Sequence, residues 1–483
     1  LALASLLPHL AEEDPRTRYD IQSYRLDLEV DPEAKLLSGT VGIEAKVDRN
    51  SISEFELDLS NEGLRVASVF ELGQGFNQTS PFVGREIIHR HENDRLICSL
   101  SRPYERGEMV RVAVRYSGTP MKKPDNFTGF FFVETPSGAP WIATSCQGIG
   151  AHTWFPCKAS YFHPEDKHDQ LFVNLTLPED LTGVSNGRLV ETTEPEEGKR
   201  TFRWFHPYGC GTYAITLNVA PYVHVQSDIP VVGLSKPVPF HYFVLPENEE
   251  KAKVQFAQVP QLLHIFSTAF GPFPFPESKY ALVETPFWGM EHSTAVAYGS
   301  SYPAWCVANE EKDAYESRNK WFDYILVHET THEWWGNSVT CADYGHFWIH
   351  EGFGTYAETV YVEQMDGLDA AHEFARNTMK RVRGKGSLYR GEGKNSGEAY
   401  GGLLYSKGAS VLHMLRGRLG NDPVWWQTLQ DFQAKFRNSN ATTEEFKALL
   451  EKNSGRKFDL FFQEWFYGSG TPKVTGTITV EPT

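Results

Sequence analysis

A change in hydrophobic periodicity partway along the chain constrains its fold more than any other feature. From Tyr19 to about Pro221, short alternating or apolar runs such as YRLDLEV, GTVGIEAKV, MVRVAVRY and DQLFVNLTL are separated by Gly, Asn, Asp and Pro clusters. Such runs are typical of strands that bury one face, so the first half predicts an antiparallel β domain. After about Pro246, apolar residues recur at three-, four- and seven-residue intervals, which predicts helices.

The second half is predicted to be mainly helical. In its first segment, the apolar residues with helical spacing, before the sequence GPFPFP interrupts them, are Val254, Ala257, Leu262, Ile265, Phe266 and Ala269. Further helices are predicted at about 316–335, 350–365, 406–419, 423–437, 442–453 and 458–467. Thr442 with Glu445 three residues later predicts a capping box, and TGTITVEPT is a candidate final strand. We therefore predict an α+β multidomain chain, with a β-rich domain over residues 1–224 and a mainly α domain over residues 225–483.

Length and charge narrow the classes of partner. A chain of 483 residues exceeds what one hydrophobic core usually organises, which favours two or three domains. The net charge of −16 argues against non-specific binding to nucleic acid or to an anionic membrane, because both require clustered Lys and Arg. No apolar run reaches the roughly 18 residues that a membrane span requires. Small or peptide-sized partners are therefore expected.

The compartment and the oligomeric state stay open. Six cysteines without CxxC pairs predict free or singly paired thiols. The opening LALASLLPHL has no basic flank and does not establish a signal peptide. N-x-S/T sequons begin at Asn77, Asn126, Asn174 and Asn440. This tripeptide is common by chance, so the sequons add little evidence for an exported protein. A soluble protein is predicted, with an exported or periplasmic location favoured over a cytoplasmic one.

The segment VHETTHEWWGN contains the pattern H-E-x-x-H, formed by His328, Glu329 and His332. Residues four apart lie on the same face of a helix, so both imidazoles can reach one ion. The same pattern also arises by chance on exposed amphipathic helices. Moreover, a catalytic zinc usually takes three protein ligands, so a third ligand must come from elsewhere.

Glu351 is the predicted third ligand. It lies in the helix-like segment FWIHEGFGTYAETVY, at a separation of 351 − 332 = 19 positions from His332, which leaves room for a turn and a return. One zinc ion bound by His328, His332 and Glu351 would acidify water, and Glu329 would accept the proton and deliver it to the leaving amine. These residues predict amide hydrolysis. Glu358, seven residues after Glu351, is either a carboxylate that orients a ligand imidazole or a solvated helix residue.

The sequence H-E-x-x-H-x-W-W-G-N, followed by W-x-x-E-G, resembles the gluzincin zinc aminopeptidase family, which includes aminopeptidase N and the leukotriene hydrolase-aminopeptidase. Three further segments match in the same order, so the similarity spans most of the chain. The resemblance implies a thermolysin-like catalytic domain, one zinc ion and peptide substrates with a free N-terminus. Relatives commonly continue into a helical domain that caps the active site. This sequence resembles a short form without that domain, for which we expect an open cleft that accepts longer peptides.

The segment WGMEHS resembles the family's G-x-M-E-N strand, whose Glu holds the α-ammonium of the substrate. The resemblance assigns that role to Glu291 and places Met290 and Gly289 in the substrate-binding strand. A carboxylate one residue's length from the zinc would select peptides by their amino terminus. The sequence departs from the family where Trp288 and Gly289 stand for the Gly of the motif and its neighbour, and where His292 replaces Asn, so this strand predicts no side-chain preference.

Two more segments resemble family motifs, and the resemblance assigns a role to one residue in each. SCQGIGAHTWFPC resembles the stretch in which a Gln of the β domain reaches over the cleft toward the first residue of the substrate, and Gln147 matches it. LLYSKGASVLHML resembles the helix start whose Tyr hydroxyl points at the scissile carbonyl. The resemblance therefore assigns to Tyr405 a hydrogen bond to the developing oxyanion, an interaction worth a few kcal/mol in comparable sites.

Two alternatives remain at this point. A gluzincin endopeptidase would use the same three ligands without an amine-binding Glu, and it would cleave peptides whose amino terminus is acetylated. A non-catalytic peptide-binding module would be expected to lose a ligand or the general base, and the sequence retains all of them. An epoxide hydrolase activity, known for one relative, has no residue in this sequence to support it.

Overall fold

The computed structural model describes residues 14–125, 128–299, 301–304, 322–382 and 385–470. Its first half is built of short strands that alternate buried and exposed side chains. In β1, buried Leu26, Leu28 and Val30 alternate with half-buried Asp27 and Glu29. The strands β1 to β15 are Tyr19–Asp31, Leu36–Val47, Ile52–Asp58, Leu64–Leu72, Gly84–Ile87, His89–Glu92, Arg95–Tyr104, Met109–Gly118, Gly129–Glu134, Pro140–Ser145, Gln170–Pro178, Thr182–Ser185, Arg188–Thr192, Lys199–His206 and Leu217–Ala220.

These strands form three sheets. The largest has eight strands in the order β13-β14-β11-β1-β2-β8-β4-β5, and two smaller sheets have the orders β3-β7-β6 and β12-β15-β10-β9. Among the described residues, the pair β1 and β11 is parallel and the other pairs of the large sheet are antiparallel. The predicted β-rich first half is therefore confirmed, with one parallel pairing that the sequence did not indicate.

A five-stranded sheet joins the two halves. Its strands β16 to β20 are Val223–Ile229, Val238–Val244, Tyr280–Glu284, Gly289–Met290 and Val296–Tyr298, in the order β16-β17-β18-β20-β19. Tyr280 and Leu282 of β18 pack into the helical core, whereas Ala281 and Val283 pack into the core of the β domain. Successive side chains of a strand point to opposite faces, so this sheet is a layer shared by both cores. The predicted boundary between residues 224 and 225 falls within β16 and remains a prediction.

Helices follow this sheet. The helices α1 to α10 are Glu249–Phe256, Val259–Phe270, Tyr324–Thr331, Trp348–Asp366, Leu368–Lys380, Ser396–Ala399, Leu403–Leu419, Asp422–Phe436, Thr443–Ser454 and Asp459–Phe462. A short parallel pair, β21 (Val339–Cys341) and β22 (Ser439–Ala441), also lies in this half. A π-helical turn, Gln463–Tyr467, continues α10. The mainly α second half is thus confirmed.

The individual helices differ from the prediction at α1 and α2, which were predicted as one segment, and at α5 and α6, which were not predicted. The first predicted helical segment is two helices, because Pro260 in the first turn of α2 has no N–H to continue α1. The helix α5 was not predicted, although Leu368, Ala371 and Ala375 recur along it at helical spacing. Residues 305–321, where the predicted helix 316–335 would begin, lie outside the described residues, as does TGTITVEPT.

Smaller predictions can also be compared with the structure. Thr442 and Glu445 form the predicted capping box, with Glu445 N–H donating to Thr442 Oγ1 at 3.2 Å and Thr442 N–H donating to Glu445 Oε2 at 2.9 Å. The described cysteines are free and buried: Cys98, Cys146, Cys157, Cys210 and Cys341. Within the described ranges, no helix combines the length and the apolar character needed to span a bilayer.

Candidate active site

The helix α3 presents both histidines of the H-E-x-x-H pattern. Its N-cap is Asp323, whose side chain accepts a hydrogen bond from Leu326 N–H at 3.4 Å. The helix ends at Thr331, but His332 keeps a helical backbone (φ −65°, ψ −13°), so His328 and His332 stay one turn apart on one face. Their Nε2 atoms lie 3.3 Å apart.

Glu351 in the first turn of α4 completes a triad with these imidazoles. Its Oε2 lies 3.6 Å from the Nε2 atom of His328 and 3.6 Å from that of His332. All three residues are at most 3% exposed. A tetrahedral zinc ion with bonds of about 2.0–2.1 Å separates its ligand atoms by about 3.3 Å, so these separations fit such an ion.

The surroundings of Glu351 also fit a metal. Its Oε2 is buried and accepts no hydrogen bond from any described residue. Leaving a buried carboxylate oxygen without a partner costs free energy, and a cation bound at this oxygen would remove that cost. Two imidazoles and a carboxylate are also the donor set found in catalytic zinc sites. The residues present therefore match the metal predicted from the sequence.

Both imidazoles are held by acceptors on their far sides. His328 Nδ1 lies 2.8 Å from Glu358 Oε1, and His332 Nδ1 lies 2.8 Å from the carbonyl oxygen of Trp335. Because a carboxylate and a carbonyl can only accept, each Nδ1 carries the hydrogen and each Nε2 lone pair faces the triad. Glu358 is 2% exposed. It is therefore the carboxylate that orients His328, the first of the two roles considered from the sequence.

Glu329 lies against the edge strand β19. A Cβ at Gly289 would be 2.7 Å from Ile325 Cγ2 and 3.0 Å from Glu329 Oε1, so a side chain at this position would push the strand away from α3. Burial raises the pKa of Glu329 to about 7. Met290 is buried, and its sulfur accepts a hydrogen bond from Ser145 Oγ of the β domain at 3.7 Å. Gly289 and Met290 thus fix the strand between α3 and the β domain, and their predicted contact with substrate remains a prediction.

Glu291 follows β19 and meets Gln147 of the β domain. Gln147 Nε2 donates to Glu291 Oε1 at 2.5 Å, and Ser396 Oγ donates to the Gln147 carbonyl oxygen at 3.1 Å. Burial and repulsion from Glu329 and Glu351 raise the pKa of Glu291. Several carboxylates are therefore buried close together, an arrangement that favours the binding of positive charge.

Tyr405 lies in the first turn of α7, beside the triad. Its ring stacks on the His328 imidazole with 5.8 Å between centroids, and its hydroxyl lies 2.8 Å from that of Tyr400. Burial raises the pKa of Tyr405, which keeps its hydroxyl protonated and able to donate. The helices α4 and α7 touch at two glycines, because a Cβ at Gly408 would lie 2.6 Å from the Gly352 Cα.

The structure brings the sequence-predicted residues into one region and adds aromatic neighbours that the sequence did not indicate. Tyr324 stacks on His328 with 5.0 Å between centroids, and Tyr400 hydrogen-bonds Tyr405. Tyr324 stands four residues before His328, so helical spacing alone was a usable signal for it. Tyr400 precedes α7 in an irregular segment and carries no such signal.

Two family models match the chain. The peptidase M1 N-terminal domain matches residues 20–214, and the peptidase family M1 domain matches residues 255–465. The chain belongs to peptidase family M1. The first M1 match covers most of the β domain, and the second contains the triad, Glu291 and Tyr405. Membership in the M1 family confirms the resemblance derived from the motifs.

Curated M1 relatives are similar over nearly the whole chain. Aminopeptidase M1-A of Oryza sativa subsp. japonica is 22% identical over 481 residues, which cover 93% of this chain and 50% of the relative. Aminopeptidase M1 of Arabidopsis thaliana is 22% identical over 482 residues, which cover 94% of this chain and 51% of the relative. The chain thus spans about half the length of the curated relatives that it matches.

Solved structures of M1 proteins share the fold. A mutant M1 zinc metallopeptidase from Deinococcus radiodurans, bound to a Tyr-Ser-Ala substrate, superposes with a TM-score of 0.74 at 23% identity, covering 94% of this chain and 95% of the other. Native yeast LTA4 hydrolase superposes with a TM-score of 0.73 at 17% identity, covering 96% of this chain and 70% of the other. The order of a β-rich domain followed by a helical domain is therefore the two-domain M1 fold.

Proposed function

We propose that this M1 chain is a zinc aminopeptidase that removes the first residue from peptides with a free amino terminus. The observation that supports the proposal most directly is the hydrogen bond between Gln147 of the β domain and Glu291, which directly follows the strand that packs against Glu329. The pair puts a buried carboxylate two residues from Gly289, the residue that packs on the predicted general base, which is about 7 Å along a strand that advances about 3.3 Å per residue.

Glu291 and Gln147 would select the amino terminus. The α-ammonium of a peptide would give the buried Glu291 carboxylate a cationic partner, with the Gln147 side-chain oxygen beside it as a second acceptor. An acetylated terminus has no charge to offer and adds bulk at this end. An endopeptidase, by contrast, has to accommodate chain beyond the scissile residue in both directions.

His328, His332 and Glu351 would hold the zinc ion. When bound, zinc supplies Lewis acidity, which acidifies water and polarises a carbonyl group. Glu358 and the Trp335 carbonyl keep the two Nε2 lone pairs directed at the ion site. The protein residues thus define the coordination before any substrate arrives.

Glu329 and Tyr405 would carry out the proton transfer and the charge stabilisation. Glu329 accepts the proton of the attacking water through its carboxylate and delivers it to the leaving amine, which balances the hydrolysis of the amide. Tyr405 donates its hydroxyl hydrogen to the carbonyl oxygen as negative charge develops there. The Tyr400 hydroxyl, 2.8 Å away, holds the Tyr405 hydroxyl in place.

The test compares Ala-Ala-Ala with its N-acetylated form, with and without the chelator 1,10-phenanthroline. We expect release of free alanine from the first peptide, loss of that release with chelator, and recovery when zinc is added back. The acetylated peptide should react at least about thirtyfold more slowly, because losing one partner of a buried charge pair costs about 2–5 kcal/mol. Equal cleavage of the acetylated peptide would favour the endopeptidase alternative.

A further inference from the structure

Trp288 stands at the entry to the substrate-binding strand, and its side chain is 45% exposed. Single exposed apolar residues are ordinary on protein surfaces, so exposure alone assigns no role. The position of Trp288 in the fold is more informative about its role. Trp288 directly precedes β19, and its carbonyl oxygen accepts a hydrogen bond from Gly299 N–H at 2.8 Å. Its backbone is therefore fixed to the edge of the five-stranded sheet.

The indole also continues a stack of rings that leads to the triad. Trp288 stacks on Tyr324 with centroids 5.4 Å apart and planes at 25°, and Tyr324 stacks on His328 at 5.0 Å and 17°. On the other side of His328, Tyr405 stacks at 5.8 Å and 20°. Among the described residues, these four rings form one stack, with the partly exposed Trp288 farthest from His328 on the Tyr324 side. Its indole is therefore held in one orientation at the border of the candidate cleft.

The order of residues along the strand tells which part of a peptide would reach it. Glu291 is the proposed anchor for the amino terminus, and Gly289 packs on the general base Glu329. Trp288 lies beyond Gly289, about 10 Å along an extended strand from Glu291. A peptide anchored at Glu291 and extended along the strand would have its scissile bond near Glu329, so its second residue would lie near Trp288.

We propose that Trp288, backed by Tyr324, is a specificity-determining residue that binds the side chain of the substrate's second residue and favours an aromatic one there. The proposal rests on the proposed aminopeptidase function. Offset-stacked or edge-to-face contacts between aromatic rings are favourable beyond the area they bury, and together with that area they correspond to about tenfold in kcat/KM.

The first experiment measures kcat/KM for Ala-Phe-Ala and for Ala-Ala-Ala with the wild-type protein, Trp288→Ala and Trp288→Phe. We expect the wild type to prefer Ala-Phe-Ala about tenfold. Trp288→Ala should lose that preference, and Trp288→Phe should retain most of it because a smaller ring still stacks. As a control, the ratio for Phe-Ala-Ala over Ala-Ala-Ala should stay the same in all three proteins, since the first residue lies on the other side of Gly289.

The second experiment measures binding without turnover. In a Glu329→Gln background, titration calorimetry should show Ala-Phe-Ala binding more tightly than Ala-Ala-Ala, and Trp288→Ala should remove the difference. If Trp288 merely braced Tyr324 and His328, the variant would instead lower zinc content and weaken all tripeptides alike. That outcome would overturn the proposal, as would an unchanged Phe-to-Ala ratio.

The two proposals fail in different ways. If the wild-type protein releases no first residue from any peptide, the aminopeptidase function is wrong and the role of Trp288 falls with it. If first residues are released normally and the second-residue ratio does not respond to Trp288→Ala, only the role of Trp288 is wrong.

Discussion

The two ends of the candidate cleft are built in different ways. The proposed metal end comes from one stretch of sequence, in which His328 and Glu351 lie on two helices of the same domain and His332 directly follows the first of them. The amine end comes from two domains, because Gln147 follows a strand of the β domain and Glu291 follows the edge strand of the shared sheet. The first end is local in sequence, and the second exists only after the domains pack.

Under the proposed function, this difference separates the catalytic chemistry from the selection of substrate. Changes at the metal end should lower kcat or the affinity for zinc while leaving the preference for a free amino terminus intact. Changes at the amine end should lower that preference while leaving the metal bound. Substitutions at Glu329, Tyr405, Glu291 and Glu358 test this separation.

The largest effect should come from Glu329→Gln at the metal end. The amide cannot take up the proton, so kcat should fall about 10²- to 10⁴-fold while zinc remains bound. Steady-state kinetics on Ala-Ala-Ala and metal analysis of the purified variant check this. The exposed Glu464 provides a matched control, since Glu464→Gln makes the same change far along the chain on α10's π-helical extension. Normal turnover by Glu329→Gln would rule out its role as the base.

Tyr405→Phe should have the next largest effect. Removing one oxyanion donor typically lowers kcat about 10²- to 10³-fold. KM should change little, because the lost hydrogen bond forms fully only in the transition state. Tyr389→Phe serves as the comparison variant. A change confined to KM would show that Tyr405 binds substrate and does not stabilise the oxyanion.

Glu291→Gln tests the amine end. It should lower kcat/KM for Ala-Ala-Ala roughly thirtyfold or more, because the ammonium loses its charged partner. The rate for the acetylated peptide should change much less, so the ratio of the two rates should approach one. Zinc content should stay at the wild-type value. If the ratio of the two rates is unaffected, selection of the amino terminus has another origin.

Glu358→Gln should weaken the metal end indirectly. Loss of the carboxylate that accepts from His328 Nδ1 should lower zinc affinity about tenfold, a typical cost for an outer-shell acceptor. Competition with a fluorescent zinc chelator measures it. Excess zinc should restore turnover, which distinguishes this variant from Glu329→Gln. An unchanged zinc affinity would mean that other contacts orient the imidazole.

The smallest effect on activity should come from Gly408→Ala, which acts on stability. The new methyl group would press on the Gly352 Cα at 2.6 Å, and overpacking of this kind costs about 1–3 kcal/mol. Gly417→Ala on the same helix meets nothing within 4 Å and should be neutral or stabilising. Thermal unfolding of the two variants gives the comparison. Equal melting temperatures would mean that the two helices separate without cost.

The grouping of His328, His332 and Glu351 could be predicted almost completely from the sequence, because helical periodicity fixes His328 and His332 and a short return places Glu351. Glu291, Gln147 and Tyr405 could be assigned through resemblance to the family alone, since nothing in their local sequence indicates a site. Glu358 could not be decided from its spacing, because a carboxylate on a helix face is equally compatible with solvent. The contact with His328 Nδ1 decided it.

The fold was predictable to a similar degree. The alternating runs and the helical spacing gave the two halves, and Thr442 gave a helix start to the residue. The parallel pairing of β1 with β11 could not be predicted, because it joins strands that are distant in sequence and depends on how the whole sheet assembles. Pro260 is present in the sequence, but apolar residues recur at helical spacing on both sides of it, so the spacing alone predicted one continuous helical segment.

The five-stranded sheet has a consequence for how such a protein can change over time. Ala281 and Val283 of β18 face one core, and Tyr280 and Leu282 face the other. A substitution that shifts this strand therefore changes the packing of both halves. The position of Gln147 relative to Glu291 thus depends on both halves together. A different β domain could replace this one only if its surface also matched the shape of the shared five-stranded sheet.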